Sequence, residues 1–361
     1  MSKAPDAMLF PREEYEARWA RVADAMAARG HEALIVWQRG AGTFDRVGNV
    51  YWLTNFTTMG TGQDPPEEGL GDGGYTFSAV LFRGGEPELH YGQPEAETDG
   101  SRVVCGKMVN HAEGLMTGIA DYLKAAGVEG KVAVVGDDVL PGRYDRLLRA
   151  STPQIEWVVD EGLLAGPQKV KSARELEIFR KGGAIATEAL GAMMEVLLTG
   201  GEGAEAAARA AAIIVKAGGG YHRLDVCHGP RSEHFLLSND FYGYDRSAPS
   251  AGDMIRAWLM GPIYGGYWLD PGRSAVCGGK PNPAQRAILE GAADIVDAIC
   301  AAIRPGITPR ELGIIAEPVA RRAGYFEARE YVPLFGHGLG TFFEPHPIPV
   351  GDPGPDPDGA M

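Results

Sequence analysis

The sequence has few cysteines, and their spacing does not suggest that they work together. The four are Cys105, Cys227, Cys277 and Cys300, and no two of them form a CxxC pair. Such spacing argues against a disulfide framework and is typical of reduced thiols. The expected location of the protein is therefore the cytoplasm.

Basic residues and long apolar runs are also scarce. Lys and Arg number 34 against 48 Asp and Glu, which leaves a formal net charge of −14. An acidic chain repels phosphate backbones, so nucleic acid is not an expected partner. No uncharged apolar run approaches the ~18 residues that a membrane span requires. The first residues, MSKAPDAMLFPREEYEARW, lack the apolar core of a signal peptide.

The patterns that are present predict two domains, as the length of 361 residues also suggests. Helical and strand patterns alternate through residues 1–165 and predict a small α/β domain. The segment Gly162–Lys171, GLLAGPQKVK, is the candidate linker, and residues 166–361 form the second domain. Three histidines stand singly in the first domain and are expected to be surface residues or to have satisfied hydrogen bonds: His31, His90 and His111.

The central stretch of the second domain reads as a β-hairpin. Apolar strands are expected at Met254–Met260 and Tyr267–Cys277, with a Gly/Pro/Tyr turn between them. Asp270 is the one carboxylate inside the returning strand, and a buried carboxylate needs a partner. It is either an Asp-Pro-Gly turn residue in a salt bridge with Arg273, or a metal ligand or catalytic carboxylate. The spacing alone favours the salt bridge.

Four motifs occur around this hairpin in a characteristic order: GPRSEHF, AGDMI, GYWLDPGRSAVCGG and FGHGLG. With the N-terminal stretch RWARVADAMAARGHEALIVW, they resemble the pita-bread hydrolases, which include creatinase, prolidase, Xaa-Pro aminopeptidase and methionine aminopeptidase. The resemblance implies an α/β (α+β) fold with a creatinase-like N-terminal domain, residues 1–165, and a pita-bread domain, residues 166–361. The last three residues, GAM at 359–361, resemble the start of the family motif that precedes the first metal-binding glutamate. The chain is therefore expected to lack the last strands of the pita-bread domain.

The resemblance also implies a metal site that has lost ligands. Metal-dependent members hold two divalent ions with two Asp, one His and two Glu. Asp270 matches the second Asp and His337 the His, but Trp258 occupies the region of the first Asp. An indole does not bind a hard cation. The expected cofactor is at most one divalent metal ion (Mn, Zn, Fe or Co), or none.

Two further histidines are implied as catalytic residues. Creatinase departs from the ligand pattern and works without metal, with a histidine before the hairpin that shuttles protons, and His234 is the residue carried over to that role. The alternative is that His234 forms a hydrogen bond in the domain interface. Members also carry a histidine downstream of the metal His, where this chain has Glu344 and then His346.

The substrate is expected to be a small molecule or a short peptide. Arg231 is a candidate to bind a substrate carboxylate, and Trp258 is a candidate to pack against the substrate. The first functional hypothesis is a creatinase- or Xaa-Pro-peptidase-type hydrolase that cleaves a C–N bond of a small amide, amidine or dipeptide, and that is not a two-metal peptidase. The alternatives are a catalytically silent binding module and a lyase on the same scaffold. Analogy with the family predicts a homodimer.

Overall fold

The computed structural model describes residues 9–39, 48–57, 77–92, 100–111, 114–234, 243–325, 334–341 and 348–349. The chain divides into two compact units, Met1–Glu177 and Ile178–Met361. The division falls inside helix α6, Ala173–Leu198, and the segment expected as a linker is mostly helix α5, Gly162–Lys169. In the described part of the chain, no helix is both long and apolar enough to cross a membrane.

The first unit is an α/β domain built on one mixed sheet. The elements in chain order are α1 (Arg12–Arg29), β1 (Ala33–Arg39), α2 (Gly48–Thr54), β2 (Phe77–Phe82), β3 (Glu88–Tyr91), β4 (Lys107–Asn110), α3 (Leu115–Ala125), β5 (Gly130–Val135), α4 (Gly142–Ser151), β6 (Ile155–Val159) and α5. The six strands lie in the order β4-β3-β2-β1-β5-β6, with β1 antiparallel to β2 and parallel to β5. On one sheet face, side chains such as Trp37 and Leu81 pack with buried residues of α3 and α4.

A buried cation ties α1 to α2 and to the start of α6. Arg18 is 1% exposed, and its Nη1 donates to the backbone oxygen of Trp52 at 2.7 Å. Its Nη2 lies 3.4 Å from a carboxylate oxygen of both Glu14 and Glu175, which are also buried. Glu175 in addition accepts a hydrogen bond from the backbone N–H of Ser172 at 2.8 Å, which caps α6. One ionic cluster therefore holds α1, α2 and the first turn of α6 together.

Two of the histidines expected to stand singly are in fact paired. His90 lies on β3 and His111 directly follows β4, and these strands are parallel neighbours. His90 Nδ1 lies 2.9 Å from His111 Nε2, and the two rings stack at 5.2 Å. Burial, reinforced by the nearby His111 and Lys107, lowers the pKa of His90 to about 3. His90 is therefore a neutral imidazole in the folded protein at neutral pH.

Acid is expected to destabilise the first unit through His90. The unfolded chain takes up a proton near pH 6.5, whereas the folded chain does not until about pH 3. The free energy of unfolding should thus fall by roughly 1 kcal/mol per pH unit between these values. Urea unfolding of the wild type and His90→Gln across this range measures the effect. His90→Gln should have a shallower acid-side slope, and the control His31→Gln should keep the steep one; equal slopes for His90→Gln and the wild type would contradict this origin.

The second unit is an α+β arrangement around a small antiparallel sheet. The elements after α6 are α7 (Gly203–Lys216), β7 (Arg223–His228), β8 (Met254–Tyr264), β9 (Tyr267–Leu269), β10 (Gly272–Val276), α8 (Pro283–Ala302), α9 (Pro309–Arg322), β11 (Leu334–Gly336) and β12 (Ile348–Pro349). The strands of the sheet lie in the order β10-β8-β7, and β9 also pairs with β8. Helices α8 and α9 begin with capping boxes, Asn282 with Gln285 and Thr308 with Glu311.

The two faces of the first part of β8 differ in burial. Ile255, Ala257 and Leu259 are buried and share a core cluster with residues of α6 and α7. The alternate residues from Met254 to Met260 are half-buried, in keeping with the two-residue period of a strand. We call the face opposite the helices the site face. Its members on the three strands are Arg223, Asp225, Cys227, Arg256, Trp258, Met260, Gly272 and Ser274.

Candidate functional site

Asp270 and His337 meet in the second unit although they are far apart in sequence. Asp270 lies between β9 and β10, and His337 directly follows β11. The backbone N–H of Trp268 donates to the carbonyl of Gly340 at 2.8 Å, which holds the segment after β11 beside β9. As a result, His337 Nε2 lies 2.9 Å from Asp270 Oδ2. Their side chains are 19% and 10% exposed, so the pair is largely screened from solvent.

The hydrogen bonds around this pair define where protons can sit. His337 Nδ1 lies 2.9 Å from the carbonyl oxygen of Gly338, which can only accept, so Nδ1 carries a proton. The hydrogen bond with Asp270 raises the pKa of His337. Burial raises the pKa of Asp270, against the lowering effect of hydrogen bonds from His337 and Trp258. Both directions favour retention of a proton by the pair.

The second oxygen of Asp270 is available to another group. Oδ1 is buried and has no hydrogen-bond partner among the described residues. A buried carboxylate oxygen without a partner is costly, because desolvation removes its contacts with water. A water molecule or a substrate N–H at this position would satisfy it.

The spacing in the sequence favours a salt bridge between Asp270 and Arg273, and this prediction is wrong. Arg273 pairs in register with Ala257, whose side chain belongs to the helix-covered face, while Asp270 contacts Trp258 of the site face. Successive side chains of a strand point to opposite faces, so residues three apart diverge. Arg273 instead donates from Nη1 to the carbonyl of Gly272 at 2.8 Å. The partner of Asp270 is His337.

The structure places the other predicted site residues as follows. Trp258 lies beside the pair, and its side chain hydrogen-bonds to Asp270. Arg231 donates from Nη1 to Asp245 Oδ2 at 3.0 Å, so it already contacts a carboxylate of its own chain. His234 ends the short 3-10 helix Gly229–His234, but its side chain is outside the described part of the structure. His346 lies outside the described residues altogether.

Sequence reasoning missed two charged residues of the site face. Arg223 and Asp225 lie on β7, and Arg223 Nη2 donates to Asp225 Oδ1 at 2.7 Å. Asp225 is fully buried and lies opposite Trp258 in the strand register. Gly243 makes this possible, because a Cβ there would lie 2.4 Å from Asp225 Oδ1. The available signal was the alternation of polar and apolar residues in Arg223–His228, RLDVCH, which is typical of a strand with one polar face.

Comparison with known proteins decides the family. The model of metallopeptidase family M24 matches residues 177–358, half of the chain. The chain belongs to metallopeptidase family M24. The match covers nearly all of the second unit and includes the four motifs of the hairpin region, so the family predicted from those motifs is confirmed.

Individual relatives of this M24 chain are Xaa-Pro dipeptidases. The protein from Pyrococcus horikoshii is 26% identical over 281 residues, which cover 74% of this chain and 71% of that protein. The protein from Pyrococcus furiosus is 27% identical over 181 residues. That alignment spans 47% of either chain, about half the length of the relative.

Solved structures support the pita-bread fold of this M24 chain. The prolidase from Pyrococcus furiosus superposes with a TM-score of 0.71 at 20% identity, covering 91% of this chain and 86% of that one. The Xaa-Pro dipeptidase from Bacillus anthracis gives 0.73 at 18% identity, covering 93% and 85%. At such identities the likeness concerns the fold alone.

The divalent metal that the M24 family implies does not fit the described residues. They contain no group of three or more His, Cys, Asp or Glu side chains that could hold an ion. Asp270 and His337 supply two donors, and Trp258 beside them supplies none. A bound divalent ion ordinarily takes about four to eight ligands. The described part of the site therefore lacks the ligands of a two-metal centre.

Proposed function

We propose that this chain is a prolidase-like hydrolase that cleaves the C–N bond of a small amide, an amidine or a dipeptide, and that it is not a two-metal peptidase. The observation that carries the proposal is the 2.9 Å contact between Asp270 and His337 beside Trp258. Membership of family M24 and the Xaa-Pro dipeptidase relatives support the reaction type. The predicted homodimer and cytoplasmic location remain predictions.

In this proposal the pair acts as a general base and then as a general acid. Asp270 Oδ1 accepts a hydrogen bond from a water molecule, which orients the water oxygen toward the carbonyl or amidine carbon of the substrate. The water adds to that carbon and gives up a proton to the Asp270–His337 pair. The pair then protonates the leaving nitrogen as the C–N bond breaks. Proton transfer by a positioned group typically contributes ~10²–10⁴-fold to the rate.

Other residues have supporting roles in the proposal. The carbonyl of Gly338 fixes the orientation of the His337 ring through Nδ1. Trp258 covers Asp270 and offers an apolar surface on which the substrate packs. His234 stays a predicted proton shuttle, as in creatinase, and His346 and Arg231 stay predicted site residues.

An activity survey tests this function. The full chain is assayed with Xaa-Pro dipeptides, small amides and an amidine such as creatine, with detection of the released amine. Turnover of at least one compound is expected. An amide or a dipeptide should give an amine and a carboxylic acid in equal amounts, and creatine should give an amine and urea in equal amounts. Absence of turnover with all of them, together with retained binding of a dipeptide, would replace the proposal with a silent binding module. Release of an alkene would indicate a lyase.

Metal analysis is expected to find at most one divalent ion per chain. The reason is that the described residues around Asp270 offer too few carboxylates, since Trp258 occupies the place of an acid. Purified protein is dialysed against Mn, Zn, Fe or Co and its metal content is measured by mass spectrometry. Trp258→Asp should tighten metal binding by roughly a factor of ten or more, because ligand charge sets affinity for hard cations. Trp258→Asn is the uncharged control, and two tightly held ions in the wild type would contradict the proposal.

A further inference from the structure

The register of the sheet puts Arg223 and Asp270 in one row of the site face. Arg223 pairs with Met260 across β7 and β8. On the other side of β8, Trp258 pairs with Gly272 and Gly261 with Leu269, so Met260 lies across from Asp270. Residues opposite each other in neighbouring strands point to the same face. A row of Arg223, Met260 and Asp270 therefore crosses the three strands.

The guanidinium of Arg223 is held by one carboxylate, and its side chain is partly exposed to solvent. Asp225 is fully buried and holds Arg223 through the 2.7 Å contact, while the Arg223 side chain is 33% exposed. Among the described residues Arg223 has no other hydrogen-bond partner, and a guanidinium has five N–H donors. A planar cation that is anchored on one edge is preorganised to bind a carboxylate with the other.

Two other arginines lie near this face, and neither shares the row of Asp270. Arg231 lies on the 3-10 helix after β7 and donates to Asp245. Arg256 donates from Nη1 to the carbonyl of Ser232 at 2.9 Å, and it lies in the row of Cys227 and Ser274. Of the three arginines, Arg223 is therefore the one that the strand register places in line with Asp270.

The spacing matches a dipeptide. Neighbouring strands lie ~4.8 Å apart, so the Cα atoms of Arg223 and Asp270 are separated by roughly 10 Å across two strands. Two residues of extended peptide span about 7 Å. A substrate amide at the Asp270–His337 pair would thus bring the carboxylate of the next residue within reach of the Arg223 side chain. A longer peptide would have no carboxylate at that distance.

We propose that Arg223, positioned by Asp225, binds the free carboxylate of the substrate and restricts the enzyme to short amides that end in an acid, such as dipeptides. This inference rests on the proposed hydrolase function. It assigns substrate specificity to a pair of residues on β7, separate from the acid–base pair.

Binding of matched ligands tests the role of Arg223. The probes are N-acetylproline, which ends in a carboxylate, and N-acetylprolinamide, which does not, and calorimetry or NMR titration gives the Kd of each. The wild type should prefer the acid by roughly tenfold or more, the effect of a charge-assisted hydrogen bond. Arg223→Gln should abolish that preference and leave the Kd of the amide unchanged. In turnover of a dipeptide, KM should rise by a similar factor with little change in kcat.

Two control variants separate this role from net charge and from folding. Arg273→Gln makes the same charge change on an exposed arginine of the opposite face and should bind both probes as the wild type does. The double variant Arg223→Gln with Asp225→Asn leaves no buried carboxylate without a cation, and it should lose the preference for the acid as the single variant does. Equal weakening of acid binding by Arg223→Gln and Arg273→Gln would overturn the inference.

The outcomes also distinguish the role of Arg223 from the proposed hydrolase function. Turnover with no preference for an acid over its amide would overturn the role of Arg223 and leave the hydrolase intact. A preference for the acid that depends on Arg223, without turnover of any substrate, would overturn the hydrolase and leave a carboxylate-binding site.

Discussion

Replacement of Asp270 by asparagine is expected to lower kcat by roughly 100-fold or more, the effect typical of losing a general base. Asparagine keeps the shape of the side chain but cannot accept a proton, and its amide cannot hold the imidazolium of His337. KM should change little, because Asp270 acts on the reacting atoms and the carboxylate of the substrate is bound elsewhere. Steady-state kinetics with the best substrate from the activity survey measures both constants.

Three further variants test whether the loss of activity comes from the Asp270–His337 pair itself. His337→Gln should cause a similar loss, and the double variant should be no worse than either single one, because the two residues act as a unit. Asp294→Asn changes an exposed aspartate of α8 and serves as the charge-matched control with unchanged kcat. Circular dichroism and a thermal melt confirm that the variants are folded. Retention of activity by Asp270→Asn within a factor of two would exclude Asp270 as the base.

Replacement of Arg18 by leucine is expected to lower the free energy of unfolding by a large amount. Glu14 and Glu175 are 5% and 3% exposed and would remain buried without their cation. Loss of one partner from a buried ionic cluster typically costs about 3–5 kcal/mol. The aromatic rings of Phe10, Tyr15 and Trp52 lie 4.7, 5.2 and 5.0 Å from the guanidinium and would also lose cation–π contacts. Urea unfolding followed by tryptophan fluorescence gives the free energy of unfolding.

A surface arginine of the same cluster is the control for Arg18. Arg174 is 55% exposed and donates to Glu14 at 3.4 Å, so Arg174→Gln should change stability by less than about 0.5 kcal/mol. A triple variant with Glu14→Gln, Arg18→Met and Glu175→Gln should recover most of the loss, because no charge is then buried alone. Wild-type stability of Arg18→Leu would show that the cluster is not a source of stability.

Much of the fold and one contact of the site follow from local patterns in the sequence. The capping boxes at Ser172 and Thr308 need only residues three positions apart, and both are present in the structure. The apolar run Met254–Met260 predicts a strand, and the structure has one there as part of β8. The motifs around Asp270 and His337 identify the family, and the pair they single out is in contact. Whether those two residues bind a metal ion stays a prediction.

Other features depend on which strands become neighbours, and no local pattern encodes that. The parallel pairing of β3 and β4 brings His90 against His111, and the Trp268–Gly340 hydrogen bond brings His337, instead of Arg273, to Asp270. Arg223 joins the site face only because β7 pairs with β8 in one register, and a shift of one residue would turn it to the helix-covered face. Hydrophobic periodicity and helix capping depend on residues close together in sequence, so the sequence predicts them. Strand pairing and strand register depend on packing between segments that are distant in sequence. Pairing and register therefore determine which charged side chains meet at this site.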